Sequence, residues 1–154
     1  MTSRRKFRKR GRNPNMLIVL DTNVLVSALL KRNSKPALIM NAILEGKIQL
    51  AIDERIFTEY TDVLHRPKLN IPADKADAIL RFIAFSALWA KSYPVEFQQE
   101  LINDPGDIPF AEIAICSHAE VLVTGNMKHF GLLRNASFKV LLPDEFLAQY
   151  PHTI

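Results

Sequence analysis

The stretch MLIVLDTNVLVSALL, residues 16–30, places one carboxylate between two apolar runs. The first run, Met16 to Leu20, is short and aliphatic, which is typical of a strand buried on both faces of a parallel sheet. Asp21 follows it directly, and the second run, Val24 to Leu30, has the length of a helix. The pattern predicts a strand that delivers an acid to its carboxyl end, followed by a helix. Because ligands of open α/β sheets bind at that edge, Asp21 is a candidate site residue.

The remainder of the sequence repeats this alternation of short apolar segments and helical patterns. Helix starts are indicated at Ser34-Lys35-Pro36, after Asp53, at Pro72, near Phe110 and at Pro143-Asp144. Further strands are predicted at residues 48–52, 89–95, 121–123 and 139–142. Short apolar strands that alternate with helices predict an α/β fold, with a central parallel sheet covered by helices on both faces.

The charges divide the chain into two parts. Residues 1–15 hold seven of the 20 basic residues and no acid, so the other 13 face 16 acids and residues 16–154 carry a net charge of −3. We expect residues 1–15 to be a basic N-terminal arm and residues 16–154 to be one domain. The arm has three open interpretations: a phosphate-binding tail, a flexible extension, or a segment upstream of a start at Met16. No apolar signal-peptide core follows the basic residues, so we expect a cytoplasmic location.

Acidic and small polar residues recur where strands end or helices begin. They are Asp21, Glu59 inside the helix that begins at Asp53, Asp104 and Asp107 in a Pro/Gly-rich turn, and Thr124 to Asn126 after the strand at 121–123. Carboxylates that meet at one edge repel one another and persist mainly when cations neutralise them. Oxygen-only ligands of this kind suit Mg²⁺ or Mn²⁺. The pattern indicates a metal site without the Cys and His spacing of a zinc site.

Each of these residues also has a purely structural interpretation. Asp21 is in a position to cap the helix after it, and Glu59 lies four residues after Arg55, the spacing of a surface ion pair. Asp-Pro-Gly-Asp is favourable turn chemistry, and Asn126 is able to cap the segment that follows it. Residue types and spacing alone leave both interpretations open.

Four motifs in this order resemble those of the PIN-domain ribonucleases: VLDTNVL, FTEYTDVL, DPGDIPFAEIAI and VLVTGNMKHF. The resemblance runs from Met16 to about Pro143 and is greatest to the VapC-like branch, the toxin components of toxin–antitoxin pairs. It implies a three-layer α/β/α sandwich, Mg²⁺- or Mn²⁺-dependent cleavage of RNA and a cognate antitoxin partner. It also implies catalytic and metal-binding roles for Asp21, Glu59 and Asp107. The supporting positions are Thr22, Asn23, Asp104, Thr124 and Asn126. Separately, the apolar residues near the C-terminus leave open a homodimer contact or, by default, core packing: Phe146, Leu147, Tyr150 and Ile154.

The sequence departs from the family pattern at two places. Many members carry Asp where this chain has Asn126, and the related branch is often more acidic where this chain has Gly106 and Ile108. Both departures remove negative charge and weaken the expected metal affinity, so a catalytically weakened RNA- or protein-binding module is the alternative function. A phosphatase-like domain is disfavoured, because Asn23 stands where an Asp-x-Asp pair needs its second acid.

The expected reaction is metal-assisted hydrolysis of phosphodiester bonds in single-stranded RNA. Because the domain is acidic, phosphate has to be attracted locally. Lys128, His129 and Arg134, near the predicted sheet edge, are the candidate RNA-binding residues.

Overall fold

The computed structural model describes residues 16–94, 104–130 and 137–154, apart from the side chains of residues 128 and 129. Its strands are β1 (Met16–Leu20), β2 (Ile48–Ile52), β3 (Leu88–Trp89), β4 (Val121–Val123) and β5 (Lys139–Leu141). Its helices are α1 (Thr22–Leu30), α2 (Lys35–Leu44), α3 (Glu54–Leu64), α4 (Ala73–Ser86), α5 (Ile108–Cys116), α6 (Met127–Phe130) and α7 (Pro143–Gln149). Short 3₁₀ turns lie at Pro67–Leu69, Pro105–Asp107 and Pro151–Thr153.

The five strands form one parallel sheet in the order β3-β2-β1-β4-β5. Successive parallel strands require crossover connections, and helices supply them here. The chain moves from β1 outward through β2 to β3, then returns to the other side of β1 with β4. The carboxyl ends of β1 and β4 therefore flank the point at which the strand order reverses, where α/β sheets bind ligands. The predicted α/β/α fold with a parallel sheet is confirmed.

Local sequence signals explain where the helices begin. The Ser34 hydroxyl accepts a hydrogen bond from the Ala37 amide at 3.2 Å, and Pro36 occupies the first turn of α2. Asp53 caps α3 by accepting from the Ile56 amide at 3.1 Å. The buried residues of α3 are Ile56, Tyr60 and Leu64, spaced four apart, so one face of the helix packs on the core while the rest meets solvent.

The third strand is shorter than the sequence indicated. We predicted residues 89–95, but β3 covers only Leu88–Trp89, and residues 90–94 are not part of a strand. It pairs with the last two residues of β2, Ala51 and Ile52, at the edge of the sheet. After Ile52 the chain continues toward α3, so β2 offers no further backbone for β3 to pair with. The last strand likewise ends one residue early, at Leu141.

The core lies on the sheet and between the sheet and its helices. Strand β4 and the last three residues of β1 are almost wholly inaccessible, with Ile18, Val19 and Val121 to Val123 at 0% exposure. That burial explains why both strands are uniformly aliphatic rather than alternating. In the described part of the chain, no helix combines the length and the apolar character needed to cross a membrane.

Candidate active site

Asp21 lies at the carboxyl end of β1 and is buried rather than on the surface. Its side chain is only 6% exposed, and its backbone amide continues the ladder by donating to the Val123 carbonyl at 2.9 Å. The Thr124 hydroxyl, at the end of β4, donates to Asp21 Oδ2 at 2.6 Å. Asp21 occupies the N-cap position of α1 but makes no side-chain capping bond to that helix. The capping interpretation of Asp21 is therefore wrong for its carboxylate.

The environment of Asp21 favours the protonated form. Burial is the largest cause, and the negative charges of Asp107 and Glu59 act in the same direction. Hydrogen bonds from Thr124 and from the Thr22 amide oppose them, and the net result raises the pKa of Asp21 from 3.8 to about 6. The charges of Asp107 and Glu59 create an excess of negative charge around this carboxylate, and a bound cation would relieve it.

Glu59 is presented by α3 and is held by the residue that follows Asp21. The Thr22 hydroxyl donates to Glu59 Oε2 at 2.6 Å, linking the start of α1 to the middle of α3. The next residue, Tyr60, is fully buried and donates its hydroxyl to the Leu20 carbonyl at 2.6 Å. Burial and the charges of Asp21 and Glu59 raise the pKa of Tyr60 well above its ordinary value, so the hydroxyl keeps the proton that it donates. These two bonds fix α3 against the end of β1.

Asp107 and Asp104 have different environments although they share one turn. Asp107 ends the 3₁₀ turn at the start of α5 and is 9% exposed. Asp104 is exposed, and its Oδ1 accepts from the Gly106 amide at 2.9 Å, which is the turn-forming role that its sequence context indicated. The structure thus brings Asp107 to the sheet edge and places Asp104 in the turn that supports it.

A cavity of about 630 Å³ joins these residues. Of the predicted site residues, it is lined by Asp21, Thr22, Asn23, Glu59, Asp107 and Asn126. Thr124 is wholly buried beneath it and also accepts from the Asn126 amide at 3.0 Å, while Asp104 is not part of the lining. Among the described residues, no three His, Cys, Asp or Glu side chains come close enough together to enclose a metal ion by themselves.

An ion-pair network on one wall of the cavity was not anticipated from the sequence. Arg55 donates to Asp53 Oδ2 and to Glu112 Oε1, both at 2.8 Å, and the carboxylates are 9% and 11% exposed. The sequence offered Glu59 as the partner of Arg55; that pairing is wrong, because both of its charged contacts lie elsewhere. The available signal was Glu112 itself, a lone acid within the apolar run of α5, since a buried acid requires a partner.

The side chains of the candidate RNA-binding residues lie outside the described part of the structure. Lys128 and His129 belong to α6, but their side chains are outside the described set, and Arg134 lies in the undescribed range 131–136. Residues 1–15, the basic arm, also lie outside the described residues. Their suggested roles stay predictions.

Comparison with known proteins agrees with this architecture. The chain is 29% identical over 142 residues to an uncharacterized protein of Methanocaldococcus jannaschii, covering 86% of this chain and 90% of that protein. Its fold is similar to a chain in the crystal structure of VapBC2 from Rickettsia felis bound to a DNA fragment from their promoter. That match has a TM-score of 0.58 at 20% identity and covers 82% of this chain and 98% of the other. Residues 17–128, which include most of β1 and all the residues that line the cavity, match the PIN domain, and the chain therefore belongs to the PIN domain family.

Proposed function

We propose that this protein is a metal-dependent endoribonuclease that hydrolyses phosphodiester bonds of single-stranded RNA. The observation that carries the proposal is the convergence of Asp21, Glu59 and Asp107 on one cavity at the reversal of strand order. These acids come from three separate segments, so their meeting is a property of the fold rather than of local sequence. Membership of the PIN domain family supports a nuclease, and the resemblance in motifs supports RNA as its substrate.

The donor set fits a hard divalent cation such as Mg²⁺ or Mn²⁺. Within the described residues, neither Asp21 nor Glu59 forms an ion pair with a basic side chain, although each is close enough to influence its neighbours electrostatically. Because the acids do not enclose an ion by themselves, the arrangement suits a cation that keeps several waters and takes one or two carboxylates directly. Asp21, Glu59 and Asp107 would hold it, directly or through water. When bound, such an ion activates an attacking water and neutralises charge on the phosphoryl group.

The chain's own residues orient these carboxylates. Thr124 holds one oxygen of Asp21, and Thr22 holds one oxygen of Glu59. Each bond restricts the rotation of its carboxylate before any substrate enters, which lowers the cost of ordering on binding. Asn126 adds a neutral amide to the cavity lining in the proposed supporting role.

The proposal is tested with Asp21→Asn, Mn²⁺ and a mixed single-stranded RNA substrate. We expect the wild-type chain to cleave RNA, EDTA to stop cleavage, and the variant to lose at least about 100-fold in kcat, the range typical of losing a catalytic electrostatic group. Asp74→Asn is the matched control, since Asp74 is exposed on α4 and does not line the cavity. Equal cleavage by the Asp21 variant and the control would refute the assignment.

The alternative function is a catalytically weakened module that binds RNA or protein. Two observations favour it: the neutral Asn126 in the cavity lining, and the absence of a three-acid cluster among the described residues. Calorimetric titration with Mn²⁺ separates the two functions. The enzyme should give a binding heat that disappears in Asp21→Asn and Asp107→Asn, whereas the binding module should give none that depends on these residues.

We further propose that the protein is the toxin of a toxin–antitoxin pair and binds a cognate antitoxin. The motifs resemble the toxin branch of the family, and the similar Rickettsia felis fold was determined in a VapBC2 assembly with promoter DNA. Induced expression should arrest growth of the host cell, Asp21→Asn should not, and co-expression of the neighbouring small gene should restore growth. Growth arrest that is equal for both forms of the protein would contradict a toxic nuclease. Homodimer formation and the cytoplasmic location stay predictions from the sequence.

A further inference from the structure

The cavity lined by the acids is also lined by basic side chains near both ends of α3. Three cations line it: Arg55, Arg66 and Lys68. The Arg55 guanidinium is already engaged by Asp53 and Glu112, and those contacts raise its pKa despite partial burial, so its charge is compensated within the protein. Among the described residues, Arg66 and Lys68 make neither an ion pair nor a side-chain hydrogen bond. Two uncompensated cations thus lie on the same cavity as the proposed catalytic acids.

The backbone holds Arg66 and Lys68 in a fixed arrangement. They flank Pro67 in a 3₁₀ turn in which the Leu69 amide donates to the Arg66 carbonyl and the Asn70 amide donates to the Pro67 carbonyl, both at 3.0 Å. Pro67 restricts its own backbone, and Asn70 ends the turn in the left-handed region with φ of 54°. The two cations therefore lie on a short rigid segment rather than on a long flexible loop.

The C-terminal half of α3 lies between Glu59 and these two cations in the chain. The helix continues for five residues beyond Glu59, a rise of about 7.5 Å along its axis, and Arg66 and Lys68 follow after its C-terminal end. Asp62 and Val63, from this part of the helix, also line the cavity. Neither cation forms an ion pair with these acids among the described residues, so both are available to contact a phosphate other than the one that reacts.

We propose that Arg66 and Lys68 form a phosphate clamp that binds the RNA backbone beside the scissile phosphate. This inference rests on the proposed ribonuclease function and names the residues that make an acidic domain attractive to RNA. Arg supplies a planar set of donors that matches phosphate, and Lys supplies a compact charge. Both contacts are to the backbone, so they raise affinity without selecting a sequence.

The clamp is tested with Arg66→Gln/Lys68→Gln in the full chain, using a single-stranded RNA of mixed sequence. We expect KM to rise roughly tenfold with kcat nearly unchanged, because the clamp contacts substrate and transition state alike. Binding of the same RNA, measured by anisotropy in the Asp21→Asn background, should weaken similarly. The slope of log affinity against log salt should fall by about 1.4, which is about 0.7 for each lost phosphate contact on a single strand.

The matched control is Lys35→Gln/Arg81→Gln, which removes the same two charges from exposed helix positions away from the cavity. A KM and a salt slope equal to those of this control would overturn the clamp, as would a loss confined to binding of a partner protein. If the wild-type chain cleaves RNA normally in that experiment, the proposed function survives the failure of the clamp. If it binds RNA without cleaving it, the ribonuclease proposal fails while the binding measurement still decides the clamp. If it neither binds nor cleaves RNA, both proposals fall.

Discussion

Replacing Asp21 by Asn should make the metal-free protein more stable, by an amount that depends on pH. The wild-type pKa of Asp21 is raised from 3.8 to about 6, so the folded state holds this proton more tightly than the unfolded state does. The ionisation of Asp21 therefore costs no stability well below pH 3.8, where the carboxyl is protonated in both states. The free energy of unfolding then falls as the pH rises from 3.8 through 6. Above that window the loss reaches about 3 kcal/mol, the energy equivalent of the difference between the two pKa values. Asn does not ionise, so the variant does not incur this cost.

The size of the gain follows from how well Asn fits the site. The Thr124 hydroxyl is able to donate to the Asn carbonyl oxygen as it does to Asp21, but the new amide group needs an acceptor of its own. An unsatisfied buried donor costs about 1–3 kcal/mol, and this cost does not vary with pH. The absolute gain is thus smaller than the charge effect, whereas the change in the stability difference between pH 4 and pH 7.5 should retain about 2–3 kcal/mol.

Urea unfolding of both proteins with EDTA, at several values of pH between 4 and 8, measures this difference. Subtracting the two free energies of unfolding at each pH removes the contributions of titrating groups that do not interact with Asp21 and leaves its own effect together with its coupling to Asp107 and Glu59. A difference that does not change with pH would refute the reasoning, whatever its absolute size. Adding Mn²⁺ provides a second check, since a cation that binds only the folded state should stabilise the wild type and not the variant.

Two further predictions concern the packing around the cavity. Tyr60→Phe removes the buried hydroxyl bonded to the Leu20 carbonyl and should lower the free energy of unfolding by about 1–2 kcal/mol in a urea titration. The control is Tyr150→Phe, since the Tyr150 hydroxyl has no hydrogen bond among the described residues. It should change the free energy of unfolding by less than about 0.5 kcal/mol in the same assay. Equal effects would show that the bond to β1 contributes nothing. Arg55→Met leaves the buried carboxylate of Glu112 without its cation and should cost about 1–2 kcal/mol, discounted for the partial exposure of the arginine, while Glu112→Gln in that background should restore part of the loss. Failure of the second substitution to restore stability would indicate that packing, and not charge, sets the role of Arg55.

The stability cost at Asp21 and the proposed activity have one origin. A buried acid close to two others is unfavourable without a neutralising cation, and the same negative charge attracts such a cation. Strain of this kind is characteristic of functional sites, where stabilising substitutions remove activity. The variant should therefore be the more stable and the less active protein.

The sequence by itself determined the local structure and much of the fold class. Aliphatic strands such as residues 17–20, the caps at Ser34 and Asp53, and the alternation of strands with helices are visible as periodicity and turn chemistry, because they depend on neighbours within a few residues. The Asp21 position was predictable for the same reason, since an acid directly after a buried strand has to lie at the sheet edge. The length of β3 was not, because its end depends on where its partner β2 runs out of backbone.

Only the tertiary structure decided which side chains meet. Thr22 and Glu59 are 37 residues apart, and Thr124 and Asp21 are 103 apart, so their hydrogen bonds leave no local signal. The ion-pair partners of Arg55 leave no local signal either. The same is true of the cavity that acidic and basic side chains line together, and only that cavity identifies Arg66 and Lys68 as candidate phosphate ligands. Sequence periodicity fixes which face of each element is buried, but the sheet order sets which buried faces and strand ends come together, and the chemistry of this site depends on that order.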